Sequence, residues 1–322
     1  MYLQLFTYSI ITVISVKKSK EKTQNKNKKS SVFIYIISFL LVIAGLCVFS
    51  YPVISNKLAD INHTQAINTY DESVKAKTEE ELDAEMQKAI IYNENLAGDP
   101  VHDPFVPGSG YALPGNYTDV LNTAGDGIMG YIEIPKISVK LPIYHGTSDE
   151  VLEKGVGHIE STALPIGGEG NHPVLTGHTG LPTAELFTRL TELKAGDEFY
   201  IHVLNKVLAY KVCEINIILP TDLDKLSAEE GKDLVTLVTC TPYGVNSHRL
   251  LVKGERTEYN PEKEASTKDS DGGFFAKYKY YVIGIAISFP ILILIGVATY
   301  LYNKKRSKKD KNNDEKGNTQ KK

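Results

Sequence analysis

Two uncharged apolar segments constrain this chain more than any other feature. Residues 32–51 (VFIYIISFLLVIAGLCVFSY) and 280–302 (YYVIGIAISFPILILIGVATYLY) run for 20 and 23 positions without a charged residue. As helices, both are long enough to cross a hydrocarbon core of about 30 Å at about 1.5 Å per residue. The sequence predicts two transmembrane helices. Buried core helices are the less favoured alternative, because neither segment has polar residues at helical spacing.

Basic runs adjoin both apolar segments. Residues 17–30 hold seven Lys against one Glu, and residues 303–322 hold nine Lys or Arg against three acidic residues. Since Lys and Arg mark the cytoplasmic side, we expect residues 1–31 and 303–322 inside and residues 52–279 outside the cell membrane. Residues 1–16 are apolar but too short for a comfortable span; an overextended translation start would explain them, and the predicted two-pass topology holds even if they insert.

The composition excludes several classes of protein. With 42% hydrophobic and 23% charged residues, the chain is neither disordered nor fibrous. The net charge is −3 and each basic run contributes +6, so the remainder carries −15. A remainder with this negative charge repels the phosphates of nucleic acid, so nucleic-acid binding is disfavoured. We predict no metal ligands in the functional site and no cofactor, because no Cys-x-x-Cys, closely spaced Cys/His or His-Glu-x-x-His pattern occurs. The sequence leaves open whether a metal ion modulates the site.

The amino-acid composition changes twice in the region between the two apolar segments. Residues 52–97 are rich in Glu, Lys, Ala and Leu, and Thr78 precedes Glu81 by three positions, which predicts a helical region with a capping box. Residues 98–115 hold four Pro and four Gly, so they form a loop, either a functional lid or a disordered segment.

Short β-type runs separated by turn signals follow, and they predict a closed or nearly closed β-barrel over residues 116–257. Two interruptions have a helical pattern, residues 183–193 and 228–232. A polar linker, residues 258–279, leads to the second membrane segment. The fold class is therefore mainly β, with short helices.

A predicted hairpin carries the clearest chemistry. Leu234–Cys240 and Leu250–Gly254 have strand patterns, so Cys240 ends one strand and Arg249 begins its neighbour. A thiolate is a competent nucleophile, and a guanidinium can stabilise both the thiolate and the oxyanion of a tetrahedral intermediate. The alternatives are a surface arginine at a strand start and a structural disulfide between Cys240 and Cys213.

A cysteine nucleophile needs an acid/base partner. Eight histidines are available outside the membrane segments, and His178 has the best local context, because it follows an apolar run and lies between glycines in TGHTG. His248 is the second choice. For any single histidine, the default alternative is a structural role, in which the ring is either hydrogen-bonded in the interior or exposed to solvent.

The motifs GHTGLP (177–182), LVTCTPYG (237–244) and HRLLVKG (248–254), in this order and spacing, resemble the sortases, membrane-anchored cysteine transpeptidases of Gram-positive bacteria. The context of these motifs, the HDPF loop and the C-terminal apolar segment are similar to the class C, pilin-polymerising group. The resemblance covers about residues 56–256. It implies a sortase-type closed barrel.

The resemblance also implies roles for individual residues. Cys240 would attack the Thr–Gly bond of an LPxTG-like sorting signal, His178 would act as acid/base, and Arg249 would stabilise substrate and oxyanion. Asp103, Pro104 and Phe105 match the lid of class C sortases, with Asp103 facing Arg249 and Phe105 covering Cys240. The implied partners are sorting signals of pilins or surface proteins, a pilin lysine amine as acceptor, and membrane lipid.

Thr179 and Cys213 depart from this pattern, and two other classes of protein are disfavoured. Thr179 stands where class C members often have Arg, and we interpret Cys213 as a strand residue facing the core. A wall-anchored surface protein is disfavoured because no LPxTG-like pentapeptide precedes Tyr280, and a papain-type protease because the order is His178, Cys240, Arg249. A housekeeping sortase that anchors proteins to the cell-wall cross-bridge is the alternative within the family.

Overall fold

The computed structural model describes residues 2–96 and 115–269, and scattered helical positions between 283 and 305. The helices are α1 (Tyr2–Lys75), α2 (Glu79–Asn95), α3 (Asp149–Lys154) and α4 (Pro261–Asp269). The strands are β1 (Ile128–Ile134), β2 (Val139–His145), β3 (Val156–His158), β4 (Val174–Thr176), β5 (Glu198–Val203), β6 (Lys206–Ile218), β7 (Leu234–Thr241) and β8 (His248–Thr257). Short 3₁₀ turns lie at Pro135–Ile137, Thr188–Glu192 and Leu223–Leu226.

The eight strands form one closed barrel in the order β1-β2-β3-β4-β7-β8-β6-β5. Neighbouring strands are antiparallel except β2 with β3 and β4 with β7, which are parallel. Both β1 and β7 are buried at every position. Closure leaves no free sheet edge, and β-branched and leucine side chains fill the interior. The predicted mainly β closed barrel is confirmed.

The N-terminal part is helical and α1 runs unbroken through the first apolar segment. Among the described residues, one helical stretch, Leu40–Lys75, is long and apolar enough to cross a membrane by length and composition, and its apolar window is exposed. Residues 280–302 are described only at scattered positions, so the second membrane helix stays a prediction.

The predicted capping box begins α2. The Thr78 hydroxyl accepts a hydrogen bond from the Glu81 amide at 3.3 Å, and the Thr78 amide donates to a Glu81 carboxylate oxygen at 2.8 Å. This reciprocal pair satisfies two amides that a helix start leaves without an intrahelical partner. The hydrogen bonds lower the pKa of Glu81. The helical prediction for this stretch is confirmed.

Hydrogen bonds fasten α2 to the barrel domain. The Asn93 amide group donates to the Leu164 carbonyl at 3.2 Å and accepts from the Leu164 amide at 2.7 Å, as a paired strand would. A Glu85 carboxylate oxygen accepts from the Leu121 amide at 2.7 Å. The helix buries Leu82, Met86, Ala89 and Tyr92. The residues before and after the segment 97–114 are therefore fixed to the same core.

The predicted helix over residues 183–193 is wrong. Only Thr188–Glu192 forms a 3₁₀ turn, because Leu186 has φ +41°, a left-handed conformation that does not continue an α-helix. The apolar face was recognised correctly, since Leu186, Leu190 and Leu193 are all buried.

The predicted helical segment at residues 228–232 is also displaced. The helical turn lies upstream, at Leu223–Leu226. Gly231 has φ +75° and forms an open turn that leads into β7, so the chain does not take helical dihedrals there.

Candidate active site

Cys240 and Arg249 lie directly opposite each other on two adjacent strands. β7 and β8 pair in antiparallel register from Leu234 with Glu255 to Thr241 with His248, and Cys240 pairs with Arg249. Directly opposed residues project to the same face with Cβ atoms about 5 Å apart. Both side chains are largely buried, with exposed fractions of 8% and 5%. The predicted hairpin and its register are confirmed.

The loop between these strands orients the guanidinium group. Arg249 Nη1 donates to the carbonyls of Asn246 and His248, each at 3.2 Å. Asn246 adopts φ +58°, and its amide donates to the Pro242 carbonyl at 2.9 Å. A six-residue loop, residues 242–247, thus folds back and aims a carbonyl at the arginine. Because the guanidinium is planar, fixing one nitrogen restricts the directions of the others.

Parallel pairing brings His178 to the same end of the barrel. β4 and β7 pair from Val174 with Thr236 to Thr176 with Val238, an offset of 62 residues. Continued by two residues, this register aligns His178 with Cys240. The Gly177 amide donates to the Val238 carbonyl at 3.1 Å, and the Thr239 hydroxyl donates to the Gly177 carbonyl at 2.7 Å. The two chain segments are therefore held together up to the residue before each side chain.

His178 is half-buried, and two effects of opposite sign act on its pKa. Burial lowers its pKa from 6.5, and the carboxylates of Asp149 and Glu153 on α3 raise it by a smaller amount. The net direction is down. The imidazole is therefore mostly neutral at pH 7, the form that accepts a proton.

Glycines on both sides of His178 are required by close neighbours. A Cβ on Gly177 would lie 2.9 Å from the Phe187 ring, and Gly180 has φ +76° with the Tyr243 ring 3.1 Å from its ideal Cβ position. The His178 carbonyl accepts from the Phe187 amide at 3.1 Å. The loop after β4 is thus packed against the loop after β7, which supports the side-by-side arrangement of His178 and Cys240.

Sequence reasoning missed Thr239, Phe187 and Tyr243 as supports of this site. Thr239 is adjacent to the cysteine, but its hydroxyl reaches a carbonyl 62 residues earlier in the chain. The TGHTG pattern showed that a tight turn was needed without showing which aromatic ring would fill the space beside it.

Three other histidines have structural hydrogen bonds in the interior. His145 lies within hydrogen-bonding distance of the Gly127 and Val120 carbonyls, His158 of Tyr117 and the Ala163 carbonyl, and His172 of Thr236 and the Ser227 carbonyl. Burial lowers the pKa of both His158 and His172. The structural default is thus correct for these three. His248, the second choice, begins β8 opposite Thr241 at the same end of the barrel, and its Nδ1 lies 2.9 Å from Ser247 Oγ.

The interpretation of Cys213 as a core-facing residue is wrong. Cys213 is the extra residue of a β-bulge between Val212 and Glu214 in β6, and it is exposed. Along β6, Tyr210 and Val212 are buried whereas Lys211 and Cys213 are exposed, so the ordinary alternation of the strand directs the Cys213 side chain outward. Its thiol donates to the Lys253 carbonyl at 3.4 Å, and the partial burial of the sulfur is the main cause that raises its pKa. Cys213 and Cys240 are not joined in a disulfide, so that alternative for Cys240 is wrong.

The predicted lid residues Asp103, Pro104 and Phe105 lie outside the described residues. Within the described part of the chain, one group of side chains could hold a metal ion, namely Glu133, His202 and Glu264. It belongs to β1, β5 and α4, on the wall opposite β7 in the closed barrel.

The barrel end near β4, β7 and β8 therefore gathers a thiol, an imidazole and a guanidinium. Side chains of these three types can supply a nucleophile, an acid/base and an oxyanion-stabilising group, the set that acyl transfer through a thioester requires.

Comparisons with known proteins identify the family to which this barrel is similar. The Sortase domain family model matches residues 132–257. Sortase D of Bacillus subtilis is 32% identical over 130 residues, which cover 39% of this chain and 63%, less than two thirds, of that protein. Among solved structures, sortase C of Streptococcus pneumoniae is 44% identical with a TM-score of 0.56, covering 61% of this chain and 97% of that one. That structure is described in terms of catalysis and pilin substrate specificity.

Sortase C-1 of Actinomyces oris is 48% identical with a TM-score of 0.52, covering 56% of this chain and 99% of that one. The solved neighbours are thus class C sortases, aligned over nearly their whole lengths. From its barrel and these relatives, the chain belongs to the sortase family, whose members are cysteine transpeptidases.

Proposed function

We propose that this chain is a membrane-anchored class C sortase that joins pilin subunits. It cleaves an LPxTG-like sorting signal between Thr and Gly and transfers the acyl group to a lysine amine of a pilin. The observation that carries the proposal is the convergence of His178, Cys240 and Arg249 through the registers of β4, β7 and β8. Class C neighbours at 42–48% identity support polymerisation over cell-wall anchoring.

The reaction has two acyl transfers that balance. The Cys240 sulfur, its proton taken by His178, attacks the threonine carbonyl carbon, and Arg249 stabilises the resulting oxyanion. The C–N bond to glycine breaks as the imidazolium returns the proton to the leaving amine, which gives a thioacyl enzyme. The acceptor lysine amine then loses a proton to His178, attacks the thioester and expels the thiolate.

The test uses the full chain in detergent, incubated with an LPxTG-type peptide and examined by intact mass. We expect an adduct of the mass of the peptide fragment up to threonine, absent from Cys240→Ala. Arg249→Lys should lose most transpeptidation, since a point charge does not reproduce the planar donor set. Its matched control is Arg256→Lys, on the same strand but ion-paired with Asp233 at 3.8 Å.

The outcomes separate the parts of the proposal. No adduct in any condition would refute Cys240 as the nucleophile, and near-normal transfer by Arg249→Lys would refute the role of Arg249. Addition of a pilin domain or of a cross-bridge peptide as acceptor then distinguishes polymerisation from anchoring. Transfer only to the cross-bridge amine would overturn the class C assignment.

We propose that Asp103, Pro104 and Phe105 form a lid over this site. Support comes from the two ends of the segment, which are both attached to the barrel domain: Asn93 of α2 bonds Leu164 before it, and Tyr117 bonds Gly146 and His158 after it. Replacement of Asp103 or Phe105 by Ala should raise the rate at which Cys240 is alkylated, measured by mass in a Cys213→Ser background. Unchanged labelling rates would refute gating by the lid.

We also propose the two-pass topology, with residues 280–302 as the second membrane helix. The ideal Cβ position of Gly284 lies 3.6 Å from the Phe49 ring, so the two apolar segments approach each other. Exposed Cys213 offers a built-in reporter of the outer side. An impermeant maleimide should label Cys213 in intact protoplasts of Cys240→Ala, whereas Ser307→Cys in a background with both Cys213→Ser and Cys240→Ala should react only after permeabilisation. Labelling of Ser307→Cys in intact protoplasts would refute the topology.

A further inference from the structure

Three side chains of metal-ligand type converge on the barrel wall opposite Cys240. They are Glu133 from β1, His202 from β5 and Glu264 from α4, and their ligand atoms all lie within 4.8 Å of one another. The two glutamates have exposed fractions of 6% and 7%. His202 Nε2 lies 3.8 Å from a Glu133 carboxylate oxygen.

The strand register explains why two of these residues meet. β1 and β5 are antiparallel, with Tyr131 opposite His202 and Glu133 opposite Tyr200. Glu133 and His202 are therefore diagonal neighbours on one face of the sheet, within reach of long side chains. The chain then leaves β8 and forms α4, which brings Glu264 to the same face from a point 62 residues beyond His202.

Neighbouring groups hold the three side chains in orientation. The Tyr131 ring stacks on the His202 ring with centroids 4.3 Å apart and an interplanar angle of 8°. The Tyr259 hydroxyl donates to a Glu264 carboxylate oxygen at 2.7 Å. Partners of this kind fix the planes of imidazole and carboxylate ligands in metal sites.

The charges at this place favour a cation. Two carboxylates that are buried within a few ångströms of each other repel, so a shared proton or positive charge stabilises them. His202 Nε2 lies 3.8 Å and Lys140 Nζ 4.0 Å from a Glu133 carboxylate oxygen, and Lys263 forms an ion pair with Glu198. Two carboxylates and one imidazole are together a donor set for a divalent transition metal.

We propose that Glu133, His202 and Glu264 bind a divalent transition-metal ion of the Zn²⁺ or Mn²⁺ type, which clamps α4 to the barrel. Ca²⁺ fits less well, because it takes 6–8 oxygen ligands. Ligands at about 2.0–2.1 Å from Zn²⁺ are about 3.4 Å apart, so the 3.8 Å between His202 and Glu133 would close by about 0.4 Å, and no separation within the set, all under 4.8 Å, would close by more than about 1.4 Å. The ion anchors the start of the linker toward residues 280–302.

The test measures metal binding by the full chain in detergent after EDTA dialysis. Thermal unfolding is followed with ZnSO₄, MnCl₂ or CaCl₂ at about 100 times the apparent Kd found by titration. We expect Zn²⁺ or Mn²⁺ to raise Tm by about 5 °C or more, from the linkage of ligand binding to stability. Ca²⁺ should have little effect.

His202→Gln and Glu264→Gln should each weaken metal binding at least 10-fold and abolish the Tm increase. The matched control is Glu198→Gln, which removes a buried carboxylate from the same strand and leaves the three ligands in place. It should keep the metal response, even if its metal-free Tm is lower. Circular dichroism confirms that each variant is folded.

Two results would overturn the proposal. The first is that no metal ion raises the Tm of the unsubstituted chain, while the stability of the metal-free chain falls as pH rises through 6–7. This result would show that a protonated His202 bridges the glutamates. The other is an equal response in His202→Gln and Glu264→Gln, which would show binding elsewhere. The rate of Cys240 alkylation, measured alongside, should be the same in all variants, so failure here is distinct from failure of the transpeptidase proposal.

Discussion

Removal of one hydroxyl, in Tyr117→Phe, should destabilise the barrel far more than a typical surface substitution. Tyr117 is 3% exposed, and its hydroxyl lies 2.9 Å from both His158 Nδ1 and the Gly146 amide. His158 Nε2 faces the Ala163 carbonyl at 2.8 Å, so it carries the ring proton and Nδ1 accepts from the tyrosine. Burial lowers the pKa of His158 to about 3, in agreement with a neutral ring.

The expected magnitude follows from the groups left behind. Phenylalanine keeps the ring volume, so no cavity forms, but His158 Nδ1 and the Gly146 amide each lose a partner. An unsatisfied buried polar group costs about 1–3 kcal/mol, which gives about 2–6 kcal/mol for the pair. At about 2–4 °C per kcal/mol for a domain of this size, Tm should fall by about 10 °C.

The assay is thermal unfolding of the full chain in detergent, followed by near-UV circular dichroism of tyrosine, since the chain has 19 Tyr and no Trp. The control is Tyr243→Phe, which removes the same hydroxyl from a ring that is 70% exposed and should change stability by less than about 0.5 kcal/mol. A loss below about 1 kcal/mol for Tyr117→Phe would refute the argument that both buried groups depend on this hydroxyl.

Two further predictions concern the core and the candidate active site. Gly254→Ala should cost about 3 kcal/mol in urea unfolding, because its Cβ would lie 2.5 Å from the buried Phe199 ring, whereas Gly115→Ala, with open space around it, should be neutral. A neutral Gly254→Ala would contradict the packing. His178 should titrate below pH 6.5 by NMR, and Asp149→Asn should move the midpoint lower still, because that carboxylate raises the pKa. A midpoint above 6.5 would show that charge, and not burial, dominates.

Local sequence patterns were sufficient for features whose partners are near in the chain. The Thr78 capping box spans three residues, and the β7–β8 hairpin that opposes Cys240 to Arg249 spans nine. In both cases, all the residues that form the contact lie in one short stretch of the sequence. The alternation of apolar and polar residues likewise predicted a barrel, because each strand must bury one face.

Patterns failed where local periodicity did not identify the buried face of a strand or the dihedral angle of a residue. Cys213 lies on the exposed face of β6 with Lys211, and the positive φ of Leu186 replaces the predicted helix with a short turn. Both depend on how neighbouring elements pack, and a residue preference alone is too weak to specify them.

The sequence by itself determined the strands, the hairpin pairing of Cys240 with Arg249, the capped helix and the candidacy of His178. Only the tertiary structure decided that β4 lies parallel to β7 with an offset of 62 residues, and that Glu133, His202 and Glu264 share one face. The physical reason is that side-chain periodicity specifies which face of a strand is buried. The choice of neighbouring strand depends on closure of the whole barrel, where every buried surface and backbone hydrogen bond must be satisfied together.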